Sequence, residues 1–271
     1  MTRTVRRWRL PAALTLGLAL AANAAVAQTV ETGFLNRSLL LDGATFRYQV
    51  YLPREFTRAR AWPIILALHG GGEYGDDGLK QTDGGLAHAI RAHPERFPAI
   101  VVLPQSLADN TPGWQLAGGR AALQALDRAV AEFNGDRSRL YLTGLSAGGN
   151  GAWFLASRHP DTFAAMIVVS SWISARKGTT SGVEYPSIAT PGSADPFLDV
   201  AKRVANLPIR IFHGDADLIA PVDESRKMFA ALKALKADVQ YVEFPGVLHN
   251  AWDMAYERAD LFTWLFQQNR R

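Results

Sequence analysis

The sequence predicts an α/β fold, a mostly parallel β-sheet with helices on both faces. Three observations carry that expectation. Short apolar runs alternate with segments of helical spacing along most of the chain. The runs at 64–68 and 100–103 are continuously apolar, as strands buried on both faces must be. No internal repeat or low-complexity linker interrupts the alternation.

The elements follow in order. Arg37–Leu41 and Thr45–Leu52 flank Asp42-Gly43, a hairpin-type turn. Ile64–Leu68 is a strand closed by His69 and three glycines, and Ile100–Leu103 a strand closed by Pro104. Arg120–Phe133 has helical spacing, with Leu123, Leu126, Val130 and Phe133 on one face. Leu140–Leu142 is a strand that runs into Gly144, and Ala147–Ser157 reads as a helix. Met166–Val169 and Ile209–Phe212 read as strands, Val222–Leu235 as a helix, and Val239–Phe244 as an alternating strand. Trp252–Gln267 is expected as one amphipathic closing helix. Ile173–Asn206, rich in Gly, Ser, Thr and Pro, is expected as a long irregular loop, which in a compact fold is usually functional or mobile.

Charge and composition exclude several function classes. The chain has 271 residues, 29 basic and 25 acidic, and no cysteine. The excess of basic charge lies in Arg3, Arg6, Arg7 and Arg9; removing those four leaves 25 basic against 25 acidic residues. A neutral chain has little long-range field for gathering phosphate, so no nucleic-acid partner is expected. The absence of cysteine excludes disulfides, thiolate catalysis and thiolate-held metal centres. No metal and no cofactor is expected.

The four arginines precede an apolar run from Leu10 to about Leu20, and small residues then end in Ala25-Val26-Ala27. This is the layout of a secretory signal peptide over residues 1–27. The expectation is cleavage before Gln28, one catalytic domain over residues 28–271, no stable membrane insertion afterwards, and a bacterial periplasmic or secreted location.

Gly144-Leu145-Ser146-Ala147-Gly148 matches G-x-S-x-G between a strand and a helix, the context of a nucleophile elbow. A turn that tight strains the serine backbone and leaves no room for neighbouring Cβ atoms. Ser146 is therefore the candidate nucleophile. His69-Gly70-Gly71-Gly72 can turn bare amides toward a substrate oxygen. The Gly71 and Ala147 N–H groups are the candidate oxyanion hole, with Gly72 as a third donor. His69 itself is expected to orient the loop by hydrogen bonding. No G-K-[ST] or G-x-G-x-x-G spacing supports a phosphate loop.

A serine needs a base. His88, His93 and His159 read as surface or capping residues, and His213 as a turn residue. His249, between the strand Val239–Phe244 and the last helix, is the candidate base. The carboxylate that fixes its tautomer is Asp217 or Asp215, both beyond the strand Ile209–Phe212. Asp217, deeper in the loop, is favoured, with Asp215 as an Asx turn residue.

These motifs resemble the α/β-hydrolase superfamily, and within it small secreted serine esterases of the phospholipase/carboxylesterase, feruloyl-esterase-like and polyhydroxybutyrate-depolymerase-like groups. The matching stretches are Leu68–Glu73, Val102–Gln105, Gly144–Gly148, His213–Pro221 and Gly246–His249. The order Ser146, Asp217, His249 is that of the superfamily. The resemblance implies an eight-stranded, mostly parallel sheet with an antiparallel second strand. It also implies cofactor-free hydrolysis through a covalent acyl-serine. Residues 173–206 are too short and too polar for a substantial cap domain, so an open site is expected.

The leading expectation is a carboxylic-ester hydrolase acting on a small-molecule, carbohydrate or polyester ester. A serine peptidase of the same fold is the alternative, and a non-catalytic binding module a third. Three tryptophans are placed near the strand ends that line the crevice of an open α/β sheet. Trp114, Trp172 and Trp252 are candidates for binding an aromatic acyl group or a sugar face, Trp114 foremost.

Overall fold

A computed structural model describes residues 1–2, 31–108, 113–178 and 182–270. The expected leader over residues 1–27 lies outside the described residues except for its first two positions. The strands are β1 (Gly33–Leu41), β2 (Ala44–Leu52), β3 (Trp62–Leu68), β4 (Ile100–Pro104), β5 (Gly135–Leu145), β6 (Ala165–Val169), β7 (Arg176–Lys177), β8 (Glu184–Tyr185), β9 (Ile209–Gly214) and β10 (Val239–Phe244). The helices are α1 (Gly85–Ala92), α2 (Ala117–Phe133), α3 (Ala147–Arg158), α4 (Pro196–Val204), α5 (Val222–Ala234), α6 (Trp252–Tyr256) and α7 (Ala259–Leu265). Among the described residues no helix is long and apolar enough to cross a membrane.

Eight strands form one sheet in the order β1-β2-β4-β3-β5-β6-β9-β10. β2 pairs antiparallel with both β1 and β4, and every other pairing in that sheet is parallel. The eight strands and the antiparallel second strand are as the resemblance implied. Side chains alternate between two cores. In β3, Ile64, Leu66 and Leu68 face a core shared with α2, α3, α4 and α5. Ile65 and Ala67 face a second core built with α1, α6 and α7. A strand buried on both faces has no polar side, which is why 64–68 reads as an unbroken apolar run.

Two expectations about the elements are corrected. Residues 173–206 are not irregular throughout. They hold the β7–β8 hairpin and α4, whose Val200, Ala201 and Val204 are buried in the core shared with α3 and α5. Asp195 caps α4, its carboxylate accepting the Phe197 and Leu198 amides at 3.0 Å, and Pro196 stands in the first turn. Residues 252–267 do not form one helix. The Glu257 carbonyl, which a continuous helix would give to Leu261, accepts from Arg96 Nη1 at 3.0 Å. Leu261 N turns instead to the Arg258 carbonyl. The break lets Tyr256 reach Thr143, hydroxyl to hydroxyl at 2.8 Å, while Leu261, Phe262 and Leu265 pack beside it.

Candidate active site

Ser146 stands alone on the turn between β5 and α3, at φ 53° and ψ −122°. Two glycines make that turn feasible. A Cβ on Gly144 would lie 2.1 Å from the Gly148 carbonyl oxygen, and one on Gly148 would lie 2.1 Å from the Leu68 oxygen. Neither contact is tolerable, so the G-x-S-x-G spacing is a packing requirement here. The Ser146 amide is held by the Val169 carbonyl at 2.9 Å, which fixes the turn to the end of β6.

The Ser146 hydroxyl lies 2.8 Å from His249 Nε2, and His249 Nδ1 lies 2.8 Å from Asp217 Oδ2. His249 is partly exposed while the Asp217 side chain is fully buried. Asp217 is saturated with donors. Its Oδ1 accepts the Ile219 and Ala220 amides at 2.8 and 2.9 Å. Its Oδ2 accepts from His249 and from His213 Nε2, the latter at 3.1 Å. Burial works to raise the Asp217 pKa. The bonds from His213, His249 and Ala220 outweigh it and hold the carboxyl well below the usual carboxylate range. Asp217 is therefore ionised and accepts at all four lone-pair directions.

The sequence left Asp215 and Asp217 open, and the geometry separates them. Asp215 Oδ1 accepts the Gly246 amide at 2.6 Å, tying the loop after β9 to the turn after β10 that leads to His249. Only Asp217 touches the imidazole. His213, expected as a turn residue, is instead fully buried behind Asp217. Its Nδ1 lies 2.7 Å from Ser225 Oγ, and its Nε2 lies 3.1 Å from both Asp217 Oδ2 and the Ala220 carbonyl. Two acceptors at Nε2 place the proton there, leaving Nδ1 to accept from Ser225. The sequence signal was the i,i+4 spacing of His213 and Asp217 beyond a buried strand.

The loop after β3 carries the glycines. Gly71 opens a short 3-10 turn over Gly71–Glu73, and Ala147 opens α3. First residues of helical turns have amides without an intrahelical acceptor. Both line the cleft that holds Ser146 and His249, together with Trp172, Arg176, Tyr185 and Trp252. The cleft is open to solvent and has a volume of about 360 Å³. His69 braces the loop from behind. Its Nδ1 donates to the Gly70 carbonyl at 2.6 Å and its Nε2 accepts the Ser106 amide at 3.0 Å. Burial pushes its pKa down to about 4, so the ring stays neutral and its tautomer is fixed by these two partners.

The three tryptophans part company. Trp252 lines the cleft, its ring edge-on to His249 with centroids 5.3 Å apart. Trp172 lines it too, edge-on to Tyr185 at 5.1 Å. Trp114 does not. It is 1% exposed, and its Nε1 donates to the His69 carbonyl at 3.1 Å. Its side chain fills the space left by Gly151, where a Cβ would meet it at 2.4 Å. Trp114 is thus a core pillar under the glycine loop and cannot touch a substrate. Gly151, which makes room for the indole, was the missed signal. Arg176 and Tyr185 are cleft residues that sequence reasoning did not single out, and no motif marks them; Glu73 ends the matching stretch Leu68–Glu73 but was given no role.

Comparison with known proteins agrees with this architecture. A sequence profile of the prolyl oligopeptidase family matches residues 120–270, a span that contains Ser146, Asp217 and His249. An uncharacterized peptidase of Bacillus subtilis, YuxL, is 29% identical over 236 residues covering 77% of this chain; the chain spans 34% of that protein's length. A thermostable esterase superposes with a TM-score of 0.70 at 25% identity, over 88% of this chain and 63% of its own. A ferulic acid esterase shares the fold, with a TM-score of 0.64 at 19% identity, over 88% of this chain and 99% of its own.

Proposed function

The chain belongs to the prolyl oligopeptidase family of α/β-hydrolase serine hydrolases, and from that premise we propose that it hydrolyses carboxylic esters through Ser146, His249 and Asp217. One observation carries the reading: an unbroken hydrogen-bond chain from the Ser146 hydroxyl through both nitrogens of His249 to an ionised, buried Asp217. In this reading Ser146 Oγ attacks the ester carbonyl carbon as its proton passes to His249 Nε2. The electron pair displaced onto the carbonyl oxygen is met by the Gly71 and Ala147 amides. Collapse of the tetrahedral adduct expels the alcohol, which takes the proton from Nε2, and leaves an acyl-serine. Water then repeats the sequence with the same base and releases the acid. Asp217 keeps the Nδ1 proton in place and offsets the charge of the imidazolium.

An amide can follow the same steps, and the family match together with the peptidase relative favours that second reading. The ester reading is supported by the likeness to the thermostable esterase and by the open cleft. Two measurements test it. A fluorophosphonate should label wild-type protein at Ser146 and leave Ser146→Ala unlabelled, and that variant should lose at least about a thousandfold in turnover. A 4-nitrophenyl ester should be cleaved at least about a hundredfold faster than the 4-nitroanilide of the same acyl group. Faster cleavage of the anilide makes the protein a peptidase.

A further inference from the structure

The catalytic cleft has a small side chamber. Glu73, Leu145 and Trp252 line the cleft that holds Ser146 and His249, and the same three residues line a second cavity beside it. That chamber is a gap in the second core, walled by Leu86, Leu103 and Tyr256. Leu145, the residue before the serine, stands at the join and is clamped by glycines. A Cβ on Gly70 would lie 2.9 Å from Leu145 Cδ1, and one on Gly85 would lie 2.6 Å from Cδ2. The polar groups around the chamber are mostly committed. Tyr256 bonds to Thr143, His69 to Gly70 and Ser106, and Gln81 Nε2 donates to the Gly78 carbonyl at 2.9 Å. The lining left for a ligand is mainly apolar.

Size and direction say what can enter. The chamber has a volume of about 50 Å³, against about 360 Å³ for the cleft. A protein cavity that takes benzene has about 150 Å³, or about 25 Å³ per carbon. The chamber therefore holds about two carbons and excludes an aromatic ring. Ser146 and His249 line the cleft and not the chamber. The leaving alcohol takes its proton from His249 Nε2, and the water that follows gives its proton to the same nitrogen. Both need the His249 side of the carbonyl carbon, where the larger cleft lies. The acyl chain is left the other direction, past Leu145.

We propose that the chamber walled by Leu86, Leu103, Leu145 and Tyr256 is an acyl pocket that fits two carbons beyond the carbonyl, so that the enzyme takes short-chain acyl esters of large alcohols. The inference deepens the ester reading of Ser146 and His249 and rests on it.

A series of 4-nitrophenyl esters from acetate to octanoate tests it. In wild type, kcat/KM should rise about fourfold from acetate to propionate, the value of one buried methylene. It should fall about tenfold or more by hexanoate, as the chain overfills the chamber. Leu86→Ala, which removes three carbons from the wall, should bring hexanoate to within about threefold of propionate. Leu103→Ala should act in the same direction, and supplies the comparison should circular dichroism show that Leu86→Ala does not fold. A flat series in wild type, an optimum at hexanoate or beyond, or a short-chain preference that folded wall variants leave unchanged overturns the pocket while the ester reading stands. If wild type cleaves none of the esters, that reading fails separately. The pocket is then judged by labelling: ethanesulfonyl fluoride should modify Ser146 about tenfold faster than hexanesulfonyl fluoride in wild type, and the wall variant should narrow that ratio. Equal rates with the two reagents in wild type, or a ratio that the wall variant leaves unchanged, overturn the pocket.

Discussion

The rear of the site and its outer wall differ in how their polar atoms are satisfied. Behind the reacting serine, His69 and His213 each use both ring nitrogens, and Asp217 accepts four hydrogen bonds. Along the wall, Trp172 Nε1 and Arg176 Nη1 have no hydrogen-bond partner among the described residues. A closed network over-determines the position of every member, which suits groups that must meet a transition state within a few tenths of an ångström. A wall with unpaired donors is not over-determined in this way.

The largest break in that comparison comes from the closed side. Asp217→Asn removes the charge and leaves an amide whose oxygen can accept from His249 only if its NH2 group faces the Ile219 and Ala220 amides, which are themselves donors; the opposite orientation keeps those two bonds and presents NH2 to His249. The wrong imidazole tautomer is then favoured. The expected loss in kcat is about a thousandfold to ten-thousandfold. Asp215→Asn, which disturbs only the bond to Gly246 N, should cost less than about tenfold. Steady-state kinetics on one ester with both variants decides it. Equal losses would show that the Asp215 tie matters as much as the carboxylate touching His249.

The closed region was the more legible part of the sequence. Its geometry is enforced by local rules: a buried strand, a glycine where a Cβ cannot fit, a serine at the turn. Leu140–Leu142, Gly144, Ser146 and Gly148 announce the elbow because each satisfies such a rule within a few residues. The sheet was legible for the same reason, since strands buried on both faces are predominantly apolar. The wall was not. Arg176 enters the cleft through a two-residue strand, and nothing local distinguishes it from a solvent-facing arginine. Trp114 was misread because its partners, His69 and Gly151, lie 45 and 37 residues away. The split between α6 and α7 depends on Arg96, 161 residues before the carbonyl it captures. The α4 helix was the exception: Asp195-Pro196 is a readable start signal that the polar composition around it obscured.

A second way to sharpen the comparison uses pH. His69 has a folded-state pKa near 4 against an ordinary value of 6.5. Between those values the unfolded chain binds the proton and the folded chain does not. The contribution is therefore complete above pH 6.5 and is lost as pH falls toward 4. Its full size is about 3 kcal/mol. Urea unfolding at pH 7 and pH 4 should show wild type losing that much more stability than His69→Gln across the interval. Parallel losses in the two proteins would mean that the closed histidine is not held neutral by its burial.

The smallest expected effect separates positioning from chemistry. His213 touches no substrate and acts only through Asp217. His213→Gln keeps a donor near Oδ2 but loses the ring that spans from Ser225 to Asp217 and Ala220. The carboxylate would then be free to rotate against His249. The expected loss is about tenfold in kcat with KM within about twofold, the value of one charge-assisted hydrogen bond acting at a distance from the substrate. Ser225→Ala, which removes only the bond to Nδ1, should move kcat in the same direction by about twofold to threefold. A rise in KM at constant kcat in either variant would place the disturbance in the cleft wall and not in the frame behind it. That outcome would join the two regions that the geometry of the site keeps apart.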